Sequence, residues 1–188
     1  AGQPLVVIST CSSIRARNFR NWPAARYAAV AQHLADEYGA RIAITGGGSA
    51  LDIAKMVAAC APDGGDPMTY ALGARPLPPG TLPIFAVPTT AGTGSEANGT
   101  AIFAGPDHAK LWVAGAALLP THVTLDPDLT ASLPPHLTAW CGLDAFVHAF
   151  EAATNAHAQP LAQRYAAWAL ADIPAALPRA MDRDADAR

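Results

Sequence analysis

Three places in the sequence gather residue types that do chemistry. Gly46-Gly47-Gly48-Ser49 lies between the apolar run Arg41-Ile42-Ala43-Ile44-Thr45 and the helical run Ala50 to Cys60. Glycines at a strand-to-helix join let backbone N–H groups approach an anion closely, and the helix dipole there favours negative charge. The same residues have a ligand-free explanation, because Ser49 and Asp52 fit a Ser-x-x-Asp capping box, and both readings stand on the residues alone. The segment is not a P-loop, since no Lys-Ser or Lys-Thr follows, and Leu51 occupies the position where G-x-G-x-x-G needs its third glycine. Further on, Pro88-Thr89-Thr90-Ala91-Gly92-Thr93-Gly94-Ser95-Glu96 is a hydroxyl-rich, glycine-spaced loop leaving the C-terminal end of a strand. Open parallel sheets bind ligands at that edge, although Thr and Ser also satisfy turns of their own. Asp144 and His148, four apart on a helix, share a face where a carboxylate and an imidazole grip one cation; a surface hydrogen bond explains an isolated pair equally well.

The elements that must position these groups are visible as apolar patterning. Leu5 to Thr10 is a short β-branched stretch of the kind that is buried on both faces of a parallel sheet. After a polar loop from Cys11 to Asn21, Pro23 opens a helix in which Tyr27, Val30, Ala31, Leu34 and Tyr38 keep helical spacing until Gly39. With Arg41–Thr45 as a second strand, this is a βαβ unit with a right-handed crossover. Ala61 to Pro83 is a Pro- and Gly-rich surface crossing, and Ile84-Phe85-Ala86-Val87 is a third strand. Ala101–Phe103 and Leu111–Val113 are short strands around a turn at Gly105-Pro106-Asp107, followed by a short strand at Val123–Leu125. Pro134-Pro135 marks a boundary, beyond which the composition becomes Ala-rich helix.

Composition excludes several classes. The 188 residues carry Lys+Arg 12 against Asp+Glu 15, a net charge of -3, so no basic field is available for a phosphate backbone and nucleic acid is not an expected partner. Hydrophobic residues at 51% support a packed core, while charged residues at 14% fall below the roughly 25% of ordinary soluble domains. No run is long and apolar enough to span a membrane, and there is no signal-peptide pattern. Cys11, Cys60 and Cys141 have no framework spacing and read as free thiols of a cytoplasmic protein.

Gly46-Gly47-Gly48-Ser49-x-x-Asp52-x-Ala54-Lys55, Pro88 to Glu96, Leu125-Asp126-Pro127 with Leu133-Pro134, and Gly142-Leu143-Asp144-Ala145-x-x-His148-Ala149-x-Glu151 together resemble the iron-containing (group III) alcohol dehydrogenases over residues 46–188. The resemblance implies an α/β fold, with a parallel-sheet dinucleotide-binding domain over 1–134 followed by the start of a helical metal-binding domain over 135–188, and the reaction in the cleft between them. It implies that Gly47, Gly48 and Ser49 hold the pyrophosphate of NAD(P), with Asp52 close by. Thr89, Thr90 and Ser95 would line the cofactor, Lys110 would contact it, and Asp144 and His148 would be two ligands of Fe2+ or Zn2+. The activity implied is hydride transfer between a small alcohol or carbonyl compound and the nicotinamide. Ala97-Asn98 departs from the family, which usually continues with Val-Thr after the Glu. The family's two further metal-binding histidines lie downstream of the segment that ends here at Arg188, and His33, His108, His122, His136 and His157 match none of its ligands. The metal site is therefore expected to be half built and the helical domain incomplete.

Residues 1–45 resemble the nucleotide-sugar-binding half of family 9 glycosyltransferases, of the heptosyltransferase type, through Ile8-Ser9-x-x-Ser12-Ser13, Arg20-Asn21-Trp22-Pro23-x-x-Arg26-Tyr27 and Ile44-Thr45-Gly46-Gly47. Ser12, Ser13, Arg15 and Arg17 would favour an anion at a helix N-terminus, or form a solvated basic loop. The two resemblances meet at Gly46-Gly47, which suggests a chimera. The alternatives to a dehydrogenase are accordingly a non-catalytic nucleotide-binding chain and a nucleotide-sugar transferase fragment. Uncovered apolar faces around Phe146, Phe150, Tyr165 and Trp168 suggest self-association.

Overall fold

The computed structural model describes residues 5–9, 33, 36–37, 41–62, 64–105 and 109–182. The polar loop with Ser12, Ser13, Arg15 and Arg17, most of the first helix, the tip of the turn at Pro106-Asp107 and the charged tail lie outside the described residues. Strands β1 (Leu5–Ser9), β2 (Arg41–Gly46), β3 (Phe85–Pro88) and β6 (His122–Val123) form a parallel sheet in the order β1-β2-β3-β6. The parallel sheet is the one expected from the continuous apolar runs, which suit strands covered on both faces. The register places Ile44 opposite Ala86 and Gly46 opposite Pro88. Pro88 thus closes the third strand instead of following it. At the last ladder position its missing N–H costs little.

Helix α1 (Gly48–Cys60) leaves the sheet directly after β2. It begins two residues earlier than the apolar run predicts. Strands β4 (Thr100–Ala104) and β5 (Lys110–Ala114) form a separate antiparallel hairpin, with Ile102 opposite Trp112. The main core lies between α1 and this hairpin: Met56, Ala59 and Cys60 meet Ala101, Val113, Leu118 and Tyr70, with Leu77 and Phe103 packed against them. Small residues along α1 allow this close approach, and Ala54 and Ala59 are essentially inaccessible.

The Ala-rich tail forms two helices, α2 (Pro135–Thr154) and α3 (Pro160–Met181), each with proline in its first turn, where the missing N–H would have no partner. The break between them is set locally, because Asn155 Oδ1 accepts a hydrogen bond from the amide of His157 at 2.8 Å. Gly142 permits the two helices to pack together, since a Cβ there would overlap Leu177. Phe146 is half-buried, whereas Phe150, Tyr165 and Trp168 are exposed. Among the described residues, no helix is long and apolar enough to cross a membrane.

The chain divides into two compact units, Ala1–Pro88 with Ser95–Leu125, and Thr89–Gly94 with Asp126–Arg188. The glycine turn, Asp52, Ser95 and Lys110 fall in the first; Thr89, Thr90, Asp144 and His148 fall in the second.

Candidate functional site

In the first unit, the centre of interest is the turn between β2 and α1. Gly46 has φ +154°, a backbone conformation closed to L side chains, and a Cβ there would stand 2.5 Å from the Cβ of Ala50. Gly47 then caps the helix through its carbonyl, which accepts from the amides of Ala50 at 2.9 Å and Leu51 at 3.1 Å. No side chain caps the helix and its first turn holds no acidic residue. The amides of Gly48 and Ser49 precede the first residue that can find an acceptor within the helix, so the helix itself offers them no partner. The positive end of a four-turn helix is thereby presented beside a residue with no side chain.

This geometry decides between the two explanations of Ser49 and Asp52. Ser49 is exposed within the helix and Gly47, not Ser49, is the N-cap, so there is no capping box. Asp52 is used elsewhere. Its Oδ1 accepts the hydroxyl of Ser95 at 2.5 Å and lies 3.8 Å from the ammonium of Lys55. Burial pushes the Asp52 carboxyl above its ordinary range, outweighing the Ser95 hydroxyl, the amide of Ile102 and the Lys55 charge, which all pull it down. Burial likewise lowers Lys55, against the attraction of Asp52 and Glu96.

Lys55 is fully buried. Its Nζ donates to Asn98 Oδ1 at 2.9 Å and to the carbonyl of Thr100 at 2.8 Å. Asn98 Oδ1 also accepts the amide of Thr100 at 2.9 Å. Asp52, Lys55, Ser95 and Asn98 therefore form one polar cluster that fastens the segment from Ser95 to Thr100 onto α1. Ser95 is 2% exposed and its hydroxyl donates to Asp52 within this cluster. Lys110 is exposed at the start of β5, opposite Ala104.

In the second unit, Thr89 and Thr90 are half-buried just after β3. The loop they begin packs tightly on α2, since a Cβ on Gly92 would meet the carbonyl oxygen of Cys141 at 2.9 Å and its Cα at 3.0 Å. One turn along α2, Asp144 Oδ1 and His148 Nε2 are 3.8 Å apart, with about half of each side chain exposed. Burial and the neighbouring Asp144 raise the Cys141 thiol above its usual range, so it is held as the thiol. No group of three or more His, Cys, Asp or Glu that could hold a metal ion occurs among the described residues.

Sequence reasoning singled out the glycine turn and the Asp144–His148 pair but passed over Lys55 and Asn98 as working residues. The available signal was a lone cation three residues after Asp52 inside an otherwise apolar helical run.

Residues 19–127 match the family model described as iron-containing alcohol dehydrogenase. The chain belongs to that family. The match begins inside the stretch that the sequence likened to glycosyltransferases, and so carries the dehydrogenase likeness upstream of the glycine turn. The choline dehydrogenase of Bacillus subtilis is 39% identical over 66% of this chain and 32% of its own length. Long-chain-alcohol dehydrogenase 1 of Geobacillus thermodenitrificans is 38% identical over 75% of this chain and 36% of its own. The chain spans about a third of the length of these relatives. Among solved structures, sulfoacetaldehyde reductase from Bifidobacterium kashiwanohense, determined in complex with NAD+, superposes with a TM-score of 0.79 at 29% identity, covering 85% of this chain and 44% of that one.

Proposed function

We propose that this member of the iron-containing alcohol dehydrogenase family is the nicotinamide-dinucleotide-binding portion of an oxidoreductase acting on a small alcohol or aldehyde. The carrying observation is the N-terminus of α1, which no side chain caps and whose first turn holds no acidic residue, next to a turn that only glycine can make at Gly46. Gly47, Gly48 and Ser49 would hold the pyrophosphate through backbone amides, and Thr89, Thr90 and Lys110 are proposed as further contacts by family resemblance. Asp52 and Ser95 stand behind this surface and shape it. Bound there, the nicotinamide supplies the hydride acceptor or donor.

The described residues do not make a complete metal site. Asp144 and His148 contribute one carboxylate and one imidazole at half-exposed positions, whereas a catalytic zinc or iron takes about three protein ligands. A second reading of the same site is dinucleotide binding without hydride transfer. Nothing among the described residues favours nucleotide-sugar transfer over these two readings.

Fluorescence titration with NADH and NADPH tests the proposal, with a nucleotide sugar as competitor. Saturable binding that the nucleotide sugar does not displace is expected. A folded sample that binds neither dinucleotide overturns it. Self-association is proposed as well: Trp140, Leu143, Val147 and Phe150 recur along α2 with about half of each side chain exposed, and Leu161, Tyr165 and Trp168 do so along α3. Sedimentation velocity is expected to show dimers or larger species that dissociate on dilution; a monomer at high concentration contradicts this.

A further inference from the structure

We infer that Lys55 and Asn98 are positioning residues for the dinucleotide, acting through the Ser95–Thr100 segment rather than by touching phosphate. The inference rests on the dinucleotide reading proposed above. A lysine about two turns beyond a glycine turn would ordinarily be assigned to the phosphates as a mobile point charge. Here the side chain is fully buried and its ammonium is committed to Asn98 Oδ1 at 2.9 Å, the Thr100 carbonyl at 2.8 Å and Asp52 at 3.8 Å. Two short hydrogen bonds to a charged donor and a counter-ion inside the protein leave it no reason to swing out to an anion.

These partners do mechanical work. Asp52 and Lys55 lie on the helix whose N-terminus forms the cradle, while Ser95, Asn98 and Thr100 lie on the segment that runs from the hydroxyl-rich loop into β4. Ser95 fastens one end of that segment to Asp52, and Lys55 fastens the other end through Asn98 and Thr100. Without the cluster, the segment would have to be ordered when the dinucleotide binds, and ordering a segment at binding weakens affinity with no loss of contacts. Asn98 is the hinge of the device, because its one oxygen serves both Lys55 Nζ and the Thr100 amide.

The substitution that separates the two tasks is Asn98→Ser. A serine hydroxyl can still accept the amide two residues on, but it is too short to reach the lysine. The expected result is NADH binding weakened about 5- to 30-fold, from loss of the single hydrogen bond between Lys55 and Asn98, in a protein that melts cooperatively. Asn98→Asp, which keeps the acceptor for both donors, restores affinity to within about threefold of the wild type. In a double-mutant cycle with Lys55→Met, the combined loss is smaller than the product of the two single losses, because both break one contact. If Asn98→Ser lowers the melting temperature and leaves the NADH dissociation constant unchanged, the cluster is only structural and the inference is overturned. If Asn98→Ser is without effect and Lys55→Met alone abolishes binding, Lys55 contacts the phosphates directly and the inference is overturned as well. Should Asn98→Ser fail to fold, Asn98→Asp is compared in the wild-type and Lys55→Met backgrounds: the aspartate is expected to be tolerated only where the lysine ammonium faces it, and equal effects in the two backgrounds count against the inference. A wild type that binds no NADH overturns the dinucleotide reading itself, and this inference with it.

Discussion

Gly46→Ala is expected to lower the stability of the fold by about 2–6 kcal/mol and to abolish dinucleotide binding in whatever fraction remains folded. Two independent penalties fall on the same atom. A φ of +154° places an L residue in a region that costs about 1–3 kcal/mol. The added Cβ would also stand 2.5 Å from Ala50 Cβ, and overpacking of that kind costs about 1–3 kcal/mol more. Ala50 cannot yield, because it sits buried in the first turn of α1, whose start is fixed by the two amides bonded to the Gly47 carbonyl. Relief therefore has to come from rotating the turn, which moves the amides of Gly48 and Ser49 away from the cradle. For a chain of this size the stability loss corresponds to a fall in melting temperature of roughly 5–15 °C. Gly80→Ala is the control: its φ is +83°, but the space around it is open, so about 1 kcal/mol is expected with NADH affinity untouched. A Gly46→Ala protein with wild-type melting and wild-type NADH affinity would show that the turn is neither strained nor a cradle.

What the sequence revealed and what it hid divide along the range of the interactions. Strands of a parallel sheet read as unbroken apolar runs, which is why β1, β2 and β3 were visible within a residue or so of their observed ends. The Asp144–His148 pair was legible because a spacing of four on a helix is a local property. Asp52 misled for the opposite reason. Its spacing from Ser49 mimics a capping box, yet its partner is Ser95, 43 residues along the chain, and no local pattern reports a contact of that span. Asn98, read as a departure from the family's usual residue, is the acceptor for a buried lysine. Buried polar clusters are difficult to anticipate in general, because each member is explained only by the others.

The second large effect follows from the same cluster. Lys55→Met keeps most of the aliphatic stem and its packing, but removes the counter-charge from Asp52 and leaves the Thr100 carbonyl without its donor. Breaking a buried ion pair on one side costs about 3–5 kcal/mol, and the lower end applies here because the Asp52 side chain keeps 13% exposure. The loss should also depend on pH in a definite direction. Burial already holds the folded-state pKa of Asp52 above its ordinary 3.8, and Lys55 is one of the groups pulling it down, so removing the lysine raises it further. An acid whose pKa is raised by folding binds its proton more tightly in the native state, so its contribution is favourable below the unfolded pKa and is lost as pH rises through the folded value. The deficit of Lys55→Met against wild type is therefore expected to be largest near neutrality and to shrink as pH falls toward the ordinary carboxylate range. Urea denaturation of both proteins at about pH 7 and about pH 5 checks this, since carboxylates unaffected by the substitution cancel in the difference. A deficit that stays constant or widens on acidification would mean that Asp52 does not bear the charge left behind. The cluster would then hold the Ser95–Thr100 segment by hydrogen bonds alone, with the ion pair incidental to it.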